Sequence, residues 1–475
     1  MPIFTVGAAG TTSSSYEVAN SLRFDSGQGG YLSLNQSTAT SARKMTYSTW
    51  IKLSKINDYN ILLENVASPH NSQIVIQDNG NNNDLRFYDY DGSTNLDLRT
   101  SMAFRDVSAW YHIVVAMDTT QSTSSNRVKI YVNGSQLTAF DTETYPSQNY
   151  DTGISDGTLQ IGRQTTSSYY IDGYLAETVF VDGQQLGPTD FGEFDSDTNI
   201  WKPKEIDTSS ITFGNNGFYL NYANSGALGT DAAGSNNLTS NNFTAVDQST
   251  DTPTNNFATM NALSNNNSNY VFTEGNLKVT ETGSWLGSVG TIGLQSGKWY
   301  WEVEYGTGNV GIGIGKVGTS STETANLGSA NNGYSSKYPD GYEWFKNFSS
   351  NIKRQNNNTN SNYGTNPSDG SIMMIAFDAD NGTIWAGNNG TWFASATQSE
   401  IEAGTTTNSM YSGITIDDFF LPTASIENGN LTFNFGSPSY SISSSNSDGN
   451  GHGNFEYAVP SGYYAINTKN LAEFG

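Results

Sequence analysis

A three-part pattern occurs twice in this chain and constrains its fold more than any other feature. Each copy has an apolar run that stops at an aspartate, then a polar loop with a second apolar stretch, and finally an Asn-Gly step. Asn-Gly supplies the two positive-φ residues of a type I′ hairpin, so each copy predicts a buried strand followed by a hairpin. The repeat therefore predicts two antiparallel β-sandwich domains. The copies comprise residues 110–118, 128–132 and Asn133-Gly134, and residues 372–378, 382–385 and Asn389-Gly390.

The composition favours an all-β chain and limits its partners. Glycine contributes 49 residues and hydrophobic residues only 35%, a mixture typical of strands that bury one face and end in polar turns. Helical periodicity is missing, so we expect very little helix. The net charge of −24 opposes binding to nucleic acid. Because the chain has no cysteine, disulfides, thiolate metal sites and cysteine nucleophiles are excluded.

The sequence also predicts how the protein is delivered. Residues 1–7 lack a basic segment followed by an apolar stretch, and no apolar run is long enough to span a membrane. We therefore expect no signal peptide and no membrane insertion, with synthesis in the cytoplasm of the host.

The first domain is defined by a series of short apolar segments in a fixed order. Residues 47–53 alternate between apolar and polar side chains, which predicts a half-buried strand with Trp50 pointing inward. The order of an opening strand pair, this Trp50 strand, the strand at residues 110–118 with its hairpin, and a closing segment at residues 173–183 resembles the laminin-G-like branch of the concanavalin A-like lectin superfamily. The resemblance covers about residues 15–190 and implies a lectin-type sandwich.

The second domain resembles a SPRY (B30.2-type) domain over residues 270–436. Residues 297–305, 310–314, 382–393 and 431–436 carry this resemblance and occur in the usual order. Since SPRY domains are also concanavalin A-like, the implied fold is all-β, with two antiparallel sandwiches of jelly-roll type. We predict an N-terminal arm (1–20), a laminin-G-like sandwich (21–190), an irregular connector (191–269), a SPRY-like sandwich (270–440) and a C-terminal tail packed on the SPRY-like domain (441–475).

Two segments resemble parts of bacteriophage structural proteins. Residues 247–261 are similar to a stretch that follows a laminin-G-like module in such proteins, and residues 455–471 are similar to the ending of viral SPRY-bearing proteins. The resemblance implies a virion structural protein.

An aromatic-rich stretch at residues 334–344 is the candidate ligand-binding segment. It interleaves aromatic and polar groups, as sugar stacking or protein contact requires. In SPRY domains this region lies between core strands, so burial of some of these rings is an equal alternative. The candidate binding residues are Tyr334, Tyr338, Tyr342 and Trp344.

The sequence offers few residues that could act as catalytic groups. Glu302 and Glu304 share one face of a strand and offer the two carboxylates that a glycoside hydrolase needs, but the third spaced acidic residue of hydrolases with this fold is missing. We therefore expect both glutamates on the solvated side of their strand, whose other side points inward, and no enzyme activity. The three histidines are scattered, and the one in an apolar strand favours a packed imidazole; they are His70, His112 and His452.

A calcium ion in the first domain remains an open alternative. Several laminin-G-like domains hold one at a loop rim, and residues 78–84 offer clustered oxygen atoms. The register of this loop departs from that of an EF-hand, and a polar hairpin tip explains it equally well. We assign no ligands and expect no other cofactor.

The sequence thus predicts a non-enzymatic virion surface protein, a tail fibre or other appendage, with lectin-like domains that adhere to host-surface glycan. We expect other virion proteins as partners and a homo-oligomeric assembly. A capsid-decorating or architectural subunit without glycan binding is the alternative, followed by a polysaccharide depolymerase.

Overall fold

The computed structural model divides the chain into two compact units, residues 12–254 (the N-terminal unit) and residues 255–475 (the C-terminal unit). The described elements are almost all antiparallel strands, which confirms the all-β prediction. The helices in the described part of the chain are too short to cross a membrane. The structure describes residues 16–475 except 57, 79, 81–82, 155–156, 167–168, 266, 317–339, 348–349 and 356–360, and it leaves aside the side chains of residues 67, 347 and 350–355.

The N-terminal unit is built from strands β1 to β18. They are β1 (Ser21–Phe24), β2 (Tyr31–Asn35), β3 (Lys44–Leu53), β4 (Tyr59–Ala67), β5 (His70–Gln77), β6 (Asp84–Tyr90), β7 (Thr94–Ala103), β8 (Trp110–Asp118), β9 (Val128–Val132), β10 (Ser135–Gln136), β11 (Phe140–Thr144), β12 (Thr158–Ile161), β13 (Gly173–Asp182), β14 (Gly192–Phe194), β15 (Trp201–Pro203), β16 (Phe218–Leu220), β17 (Thr239–Asn241) and β18 (Gln248–Ser249).

These strands form two eight-stranded sheets and a separate β14–β15 pair. The first sheet has the order β10-β9-β8-β3-β13-β1-β18, with β16 also paired to β13, and the second has the order β11-β7-β6-β5-β4-β12-β2-β17. Apolar side chains from both sheets form one core between them. This is the arrangement of a β-sandwich.

Side chains of β3 alternate between two buried environments. Ile51 and Leu53 point into the core between the sheets, whereas Trp50 packs on the opposite face of the first sheet with Val18 and Trp201. Trp50 is only 4% exposed, but the prediction that it points into the sandwich is wrong. The outer face of the first sheet is buried at Trp50 because later parts of the unit cover it. The alternation of apolar and polar residues along the strand does not indicate such a long-range contact.

The predicted connector at residues 191–269 is divided between the two units. Strand β16 pairs with β13, β17 pairs with β2, and β18 pairs with β1. Residues 191–254 therefore complete both sheets of the N-terminal unit, and the remaining residues belong to the C-terminal unit. Backbone hydrogen bonds to these strands, together with buried apolar side chains such as Phe218, Leu220 and Leu238, hold this segment in place.

The C-terminal unit contains strands β19 to β30 and helices α1 and α2. They are β19 (Tyr270–Thr273), β20 (Lys278–Glu281), β21 (Leu286–Val289), β22 (Lys298–Lys316), β23 (Gly341–Asn347), β24 (Ser350–Gln355), β25 (Ser361–Asn362), β26 (Ile372–Asp378), β27 (Thr383–Asn388), β28 (Thr391–Trp392), β29 (Phe420–Asn434), β30 (Tyr464–Ala465), α1 (Gln398–Glu402) and α2 (Thr468–Phe474).

Two long strands, β22 and β29, connect the layers of this unit. The first part of β22 pairs with β26 and the last part with β23, while β29 pairs with both parts. Register shifts between Tyr305 and Asn309 mark the bend, where Gly308 has a φ of 85° and an added Cβ would lie 2.3 Å from a backbone carbonyl. Trp301 and Ile312, from either side of the bend, contribute to one core.

Both copies of the repeated sequence pattern form the predicted hairpin. The φ angles are 47° and 78° at Asn133-Gly134, and 48° and 76° at Asn389-Gly390. In each copy the asparagine Oδ1 accepts a 2.8 Å hydrogen bond from the backbone N–H of the first strand, from His112 in one case and Ile372 in the other. The same asparagine therefore turns the chain and fastens the hairpin to its neighbour in both units.

Candidate functional site

The outer face of the second sheet carries a concentration of tyrosine and polar side chains. Ile74, Phe87 and Leu159 point into the sandwich core, so the residues beside them on β5, β6 and β12 point outward, because side chains alternate along a strand. The pairing register brings these outward residues together across the sheet. This surface is named the tyrosine face, and it is formed by Tyr31, Tyr59, Glu64, Gln73, Arg86, Tyr88, Tyr90, Asp97, Gln160 and the described residues of the hairpin at 163–170, which are 163–166 and 169–170.

The hairpin at residues 163–170 folds over the tyrosine face. A backbone bridge between its first and last residues closes it. The Thr165 N–H donates to the Glu64 carboxylate at 2.6 Å, and the Tyr169 ring stacks on the Tyr59 ring with their centroids 4.5 Å apart and an angle of 16°. These polar and aromatic contacts fix the hairpin to the sheet.

Glu64 lies under this hairpin with no exposed surface. One carboxylate oxygen accepts from Gln73 Nε2 at 2.7 Å, and the other accepts the hydrogen bond from Thr165 N. Because fixed donors engage both oxygens, Glu64 braces the hairpin and is not a free carboxylate for proton transfer.

Next to it, an arginine holds a tyrosine ring in place. The Arg86 guanidinium makes two 2.7 Å hydrogen bonds to the Asp97 carboxylate and lies 4.5 Å from the centroid of the Tyr88 ring. Burial raises the pKa of Tyr88 to about 12, with the Arg86 charge opposing the shift. The Tyr88 hydroxyl therefore keeps its proton at neutral pH.

Exposed rings complete the surface. Tyr90 is 47% exposed and Tyr169 is 39% exposed, and each belongs to an element that is hydrogen bonded to the sheet. Fixed aromatic faces beside amide, carboxylate and guanidinium groups can stack on the apolar face of a ligand and bond its polar edge. The arrangement is suited to binding and offers no evident acid–base pair among the residues that form it.

Comparisons with known proteins bear on this unit. Residues 25–186 match the laminin G model of the concanavalin A-like lectin/glucanases superfamily. This part of the chain is therefore similar to laminin-G-like domains. Among curated proteins, none matches the sequence significantly.

Solved structures with similar folds include three of different kinds. A heptameric SAP-like pentraxin from Limulus polyphemus has 16% identity and a TM-score of 0.27, with 36% of this chain and 79% of that chain covered. A protein from Bacteroides ovatus ATCC 8483 proposed to bind carbohydrate has 18% identity and a TM-score of 0.35, with 48% and 59% covered. The TRIM65 PSpry domain has 14% identity and a TM-score of 0.28, with 37% and 88% covered. Such distant similarity assigns no function to this chain.

Two of the predicted binding residues are buried in the C-terminal unit. Tyr334 and Tyr338 lie outside the described residues. Tyr342 and Trp344 belong to β23 and are only 8% and 0% exposed, and the Trp344 indole N–H donates to the Tyr363 carbonyl at 2.8 Å. These two rings are core residues, so their prediction as surface binding residues is wrong. Their spacing of two places both on the inner face of a strand.

Sequence reasoning missed the tyrosine face because its residues come from distant segments. One local signal was present: Arg86, Tyr88 and Tyr90 alternate with apolar Leu85 and Phe87 along β6. Such alternation indicates a strand whose outer face carries aromatic side chains next to a cation. The hairpin over the laminin-G-like domain has no comparable signal.

Glu302 is buried, which contradicts its predicted solvated position. It has no exposed surface, and its carboxylate accepts hydrogen bonds from Tyr300 Oη at 2.9 Å, Glu456 N at 2.9 Å and Tyr457 N at 2.8 Å. Burial raises the pKa of Glu302 above its usual range, and these hydrogen bonds oppose the shift. The carboxylate fastens the C-terminal tail across the sheet, and the expected solvent face is covered for that reason. The other side of the strand points inward as predicted.

His112 is a structural residue, as its apolar strand predicts. Its ring stacks between Trp50 and Trp201, with centroid distances of 4.8 and 5.8 Å. Trp201 Nε1 donates to His112 Nδ1 at 3.0 Å, so Nε2 carries the proton and donates to Ser48 Oγ at 2.9 Å. Burial lowers the pKa of His112 to about 3, and the imidazole is therefore neutral.

The alternative of a calcium ion in the first domain concerns the loop at residues 78–84. Three residues of the loop at 78–84 lie outside the described part of the chain. Within the described part, no group of three or more Asp, Glu, His or Cys side chains is placed to hold a metal ion.

Proposed function

We propose that this protein is a non-enzymatic adhesion protein that binds host-surface glycan through the tyrosine face of its laminin-G-like domain. The observation that carries the proposal is the group of fixed, partly exposed tyrosine rings beside braced polar groups. A pyranose ring has an apolar face and a hydroxyl-bearing edge, and this surface offers a partner for each. The superfamily match of residues 25–186 supports the same class of ligand.

Binding without turnover fits the carboxylates of the described site. Glu64 is buried and fully hydrogen bonded, and Asp97 is engaged by Arg86. A glycoside hydrolase needs one carboxyl group that donates a proton and a second that is free to act on the sugar or on water. Neither Glu64 nor Asp97 meets that requirement, and in the C-terminal unit Glu302 is covered by the tail.

A place on a bacteriophage virion, as a tail fibre or other surface appendage, is the biological setting we propose. It depends on the resemblance of residues 247–261 and 455–471 to phage structural proteins. A net charge of −24 suits a protein that must remain soluble at high local concentration. In this setting other virion proteins and further copies of the chain are its partners.

Glycan binding by the full-length protein tests the proposal. We expect adsorption to polysaccharide of the host surface, and a 2- to 13-fold loss of affinity, roughly, for each of Tyr90→Ala and Tyr169→Ala, since an aromatic stacking contact contributes about 0.5–1.5 kcal/mol. Phe194→Ala is the matched control, because Phe194 is 47% exposed but lies on β14, away from the tyrosine face.

Two outcomes would contradict the proposal. Absence of binding to any glycan would favour an architectural or capsid-decorating subunit. Release of reducing sugar ends that Glu302→Gln abolishes would establish a depolymerase instead.

A further inference from the structure

We propose that the tyrosine face selects an acidic glycan, and that Arg163 receives the negatively charged group of one sugar. This inference rests on the proposed glycan binding and names its ligand class. The shared chemistry is an oxyanion on a sugar, supplied by either a carboxylate or a sulfate.

Arg163 packs against two tyrosine rings. Its guanidinium carbon lies 4.6 Å from the centroid of Tyr31 and 5.8 Å from that of Tyr170. Tyr31 is on the outer face of β2, because its neighbour Leu32 points into the core. The guanidinium plane is therefore fixed on the tyrosine face before any ligand arrives, which reduces the entropy lost on binding.

No acidic partner neutralises this arginine within the described part of the chain. None of the carboxylates described there forms an ion pair with Arg163, and its buried Nε has no hydrogen-bond acceptor. The other arginines on this face differ: Arg86 is bonded twice to Asp97, and Arg99 lies 3.7 Å from the Asp84 carboxylate. In a chain with 45 acidic and 21 basic residues, Arg163 is thus a cation on the tyrosine face without a described counterion.

A second buried polar group points to a ligand at the same place. Gln160 is 7% exposed, and its Oε1 has no described hydrogen-bond donor. It pairs with Ser33 across β12 and β2, two residues from Tyr31, so Gln160 and Arg163 lie over the same stretch of β2. A buried acceptor without a donor is costly. The hydroxyl of a bound sugar would satisfy it.

Together the two groups match an acidic sugar residue. A guanidinium edge presents parallel N–H donors that fit the two oxygens of a carboxylate or sulfate, and the Gln160 carbonyl accepts from a hydroxyl on the same ring. The tyrosine rings that hold Arg163 exclude water from one side, which strengthens the charged contact.

The test uses full-length protein and pairs of glycans that differ only in charge. The probes are oligogalacturonate against its methyl ester, sialyllactose against lactose, and dextran sulfate against dextran, followed by a general array of acidic and neutral glycans. We expect binding to the acidic member of at least one pair, and about a 10- to 150-fold loss of that affinity for Arg163→Gln. Arg163→Lys keeps the positive charge but loses the parallel N–H donors of the guanidinium, and should bind the acidic glycan with intermediate affinity.

Controls separate this contact from general charge and from misfolding. Arg43→Gln removes an equal charge from an exposed pair with Asp151, outside the tyrosine face, and should leave binding unchanged. Thermal unfolding of Arg163→Gln should shift only slightly from that of the parent protein, since the ring contacts of Arg163 are lost but no described ion pair is.

Four results would decide against the inference. Equal affinity of the parent protein for the acidic and the neutral glycan of every pair would overturn the inference. The same holds if Arg163→Gln binds the acidic glycan as tightly as the parent protein does. Binding of neutral glycans alone, dependent on Tyr90 and Tyr169, would overturn the role of Arg163 and leave the proposed function intact. Absence of all glycan binding would remove the proposed function itself.

Discussion

Acidification should destabilise the N-terminal unit through one residue, His112. Its pKa is about 3 in the folded protein, against 6.5 as its ordinary value. Protonation places a hydrogen on Nδ1, where Trp201 Nε1 already donates, so two donors would face each other inside the stack. The folded state therefore rejects a proton that the unfolded state accepts.

The direction and size of the effect follow from this difference. A histidine with a lowered folded-state pKa contributes stability that is present above about pH 6.5 and is lost as the pH falls toward about pH 3. Each pH unit well inside that window costs about 1.4 kcal/mol. Between pH 7 and pH 5 the loss in free energy of unfolding is therefore ~2 kcal/mol.

Urea unfolding of the parent protein and of His112→Gln, measured across this pH range, tests the reasoning. The variant should unfold at lower urea at pH 7, since the stack is damaged, but its stability should fall less on acidification. His452→Gln, in the C-terminal unit, is the control and should retain the full pH dependence of the N-terminal transition. If His112→Gln and the parent protein lose equal stability between pH 7 and pH 5, the buried neutral imidazole is refuted.

Two further predictions concern the parts of the fold that hydrogen bonds fasten. Glu302→Ala should lower the free energy of unfolding of the C-terminal unit by about 3–5 kcal/mol and speed amide hydrogen exchange at Glu456 and Tyr457. The control variant Glu304→Ala should change neither. Unaltered exchange at those two amides would contradict the role of Glu302 in holding the C-terminal tail on the sheet. Asn133→Ala and Asn389→Ala should each lower the free energy of unfolding, measured with urea, by about 1–3 kcal/mol, because each loses a hydrogen bond and places alanine in a left-handed backbone conformation. A loss of stability in only one unit would show that the two hairpins are not equivalent.

The sequence predicted those features that depend on local chemistry. Asn133-Gly134 and Asn389-Gly390 determine their turns through positive φ, and the alternation of Trp301, Val303 and Tyr305 determines which side of β22 points inward. Such signals lie within a few residues of one another.

The features that escaped prediction depend on contacts between distant segments. Glu302 is buried because residues more than a hundred positions later fold over it, and Trp50 is buried outside the sandwich because Trp201 covers it. Tyr342 and Trp344 were candidate binding residues because their spacing does not show which face is buried without the partner strand that the register supplies. The tyrosine face combines strands β2, β4, β5, β6, β7 and β12, so only the tertiary fold brings its residues together.

The most direct test of the central claim is to locate bound glycan on the full-length protein. Hydrogen–deuterium exchange, compared with and without a glycan that the protein adsorbs, reports which amides become protected. Our account predicts protection in the hairpin at residues 163–170 and in strands β2, β6 and β12. Protection confined to the C-terminal unit, or to the first sheet of the laminin-G-like domain, would contradict it.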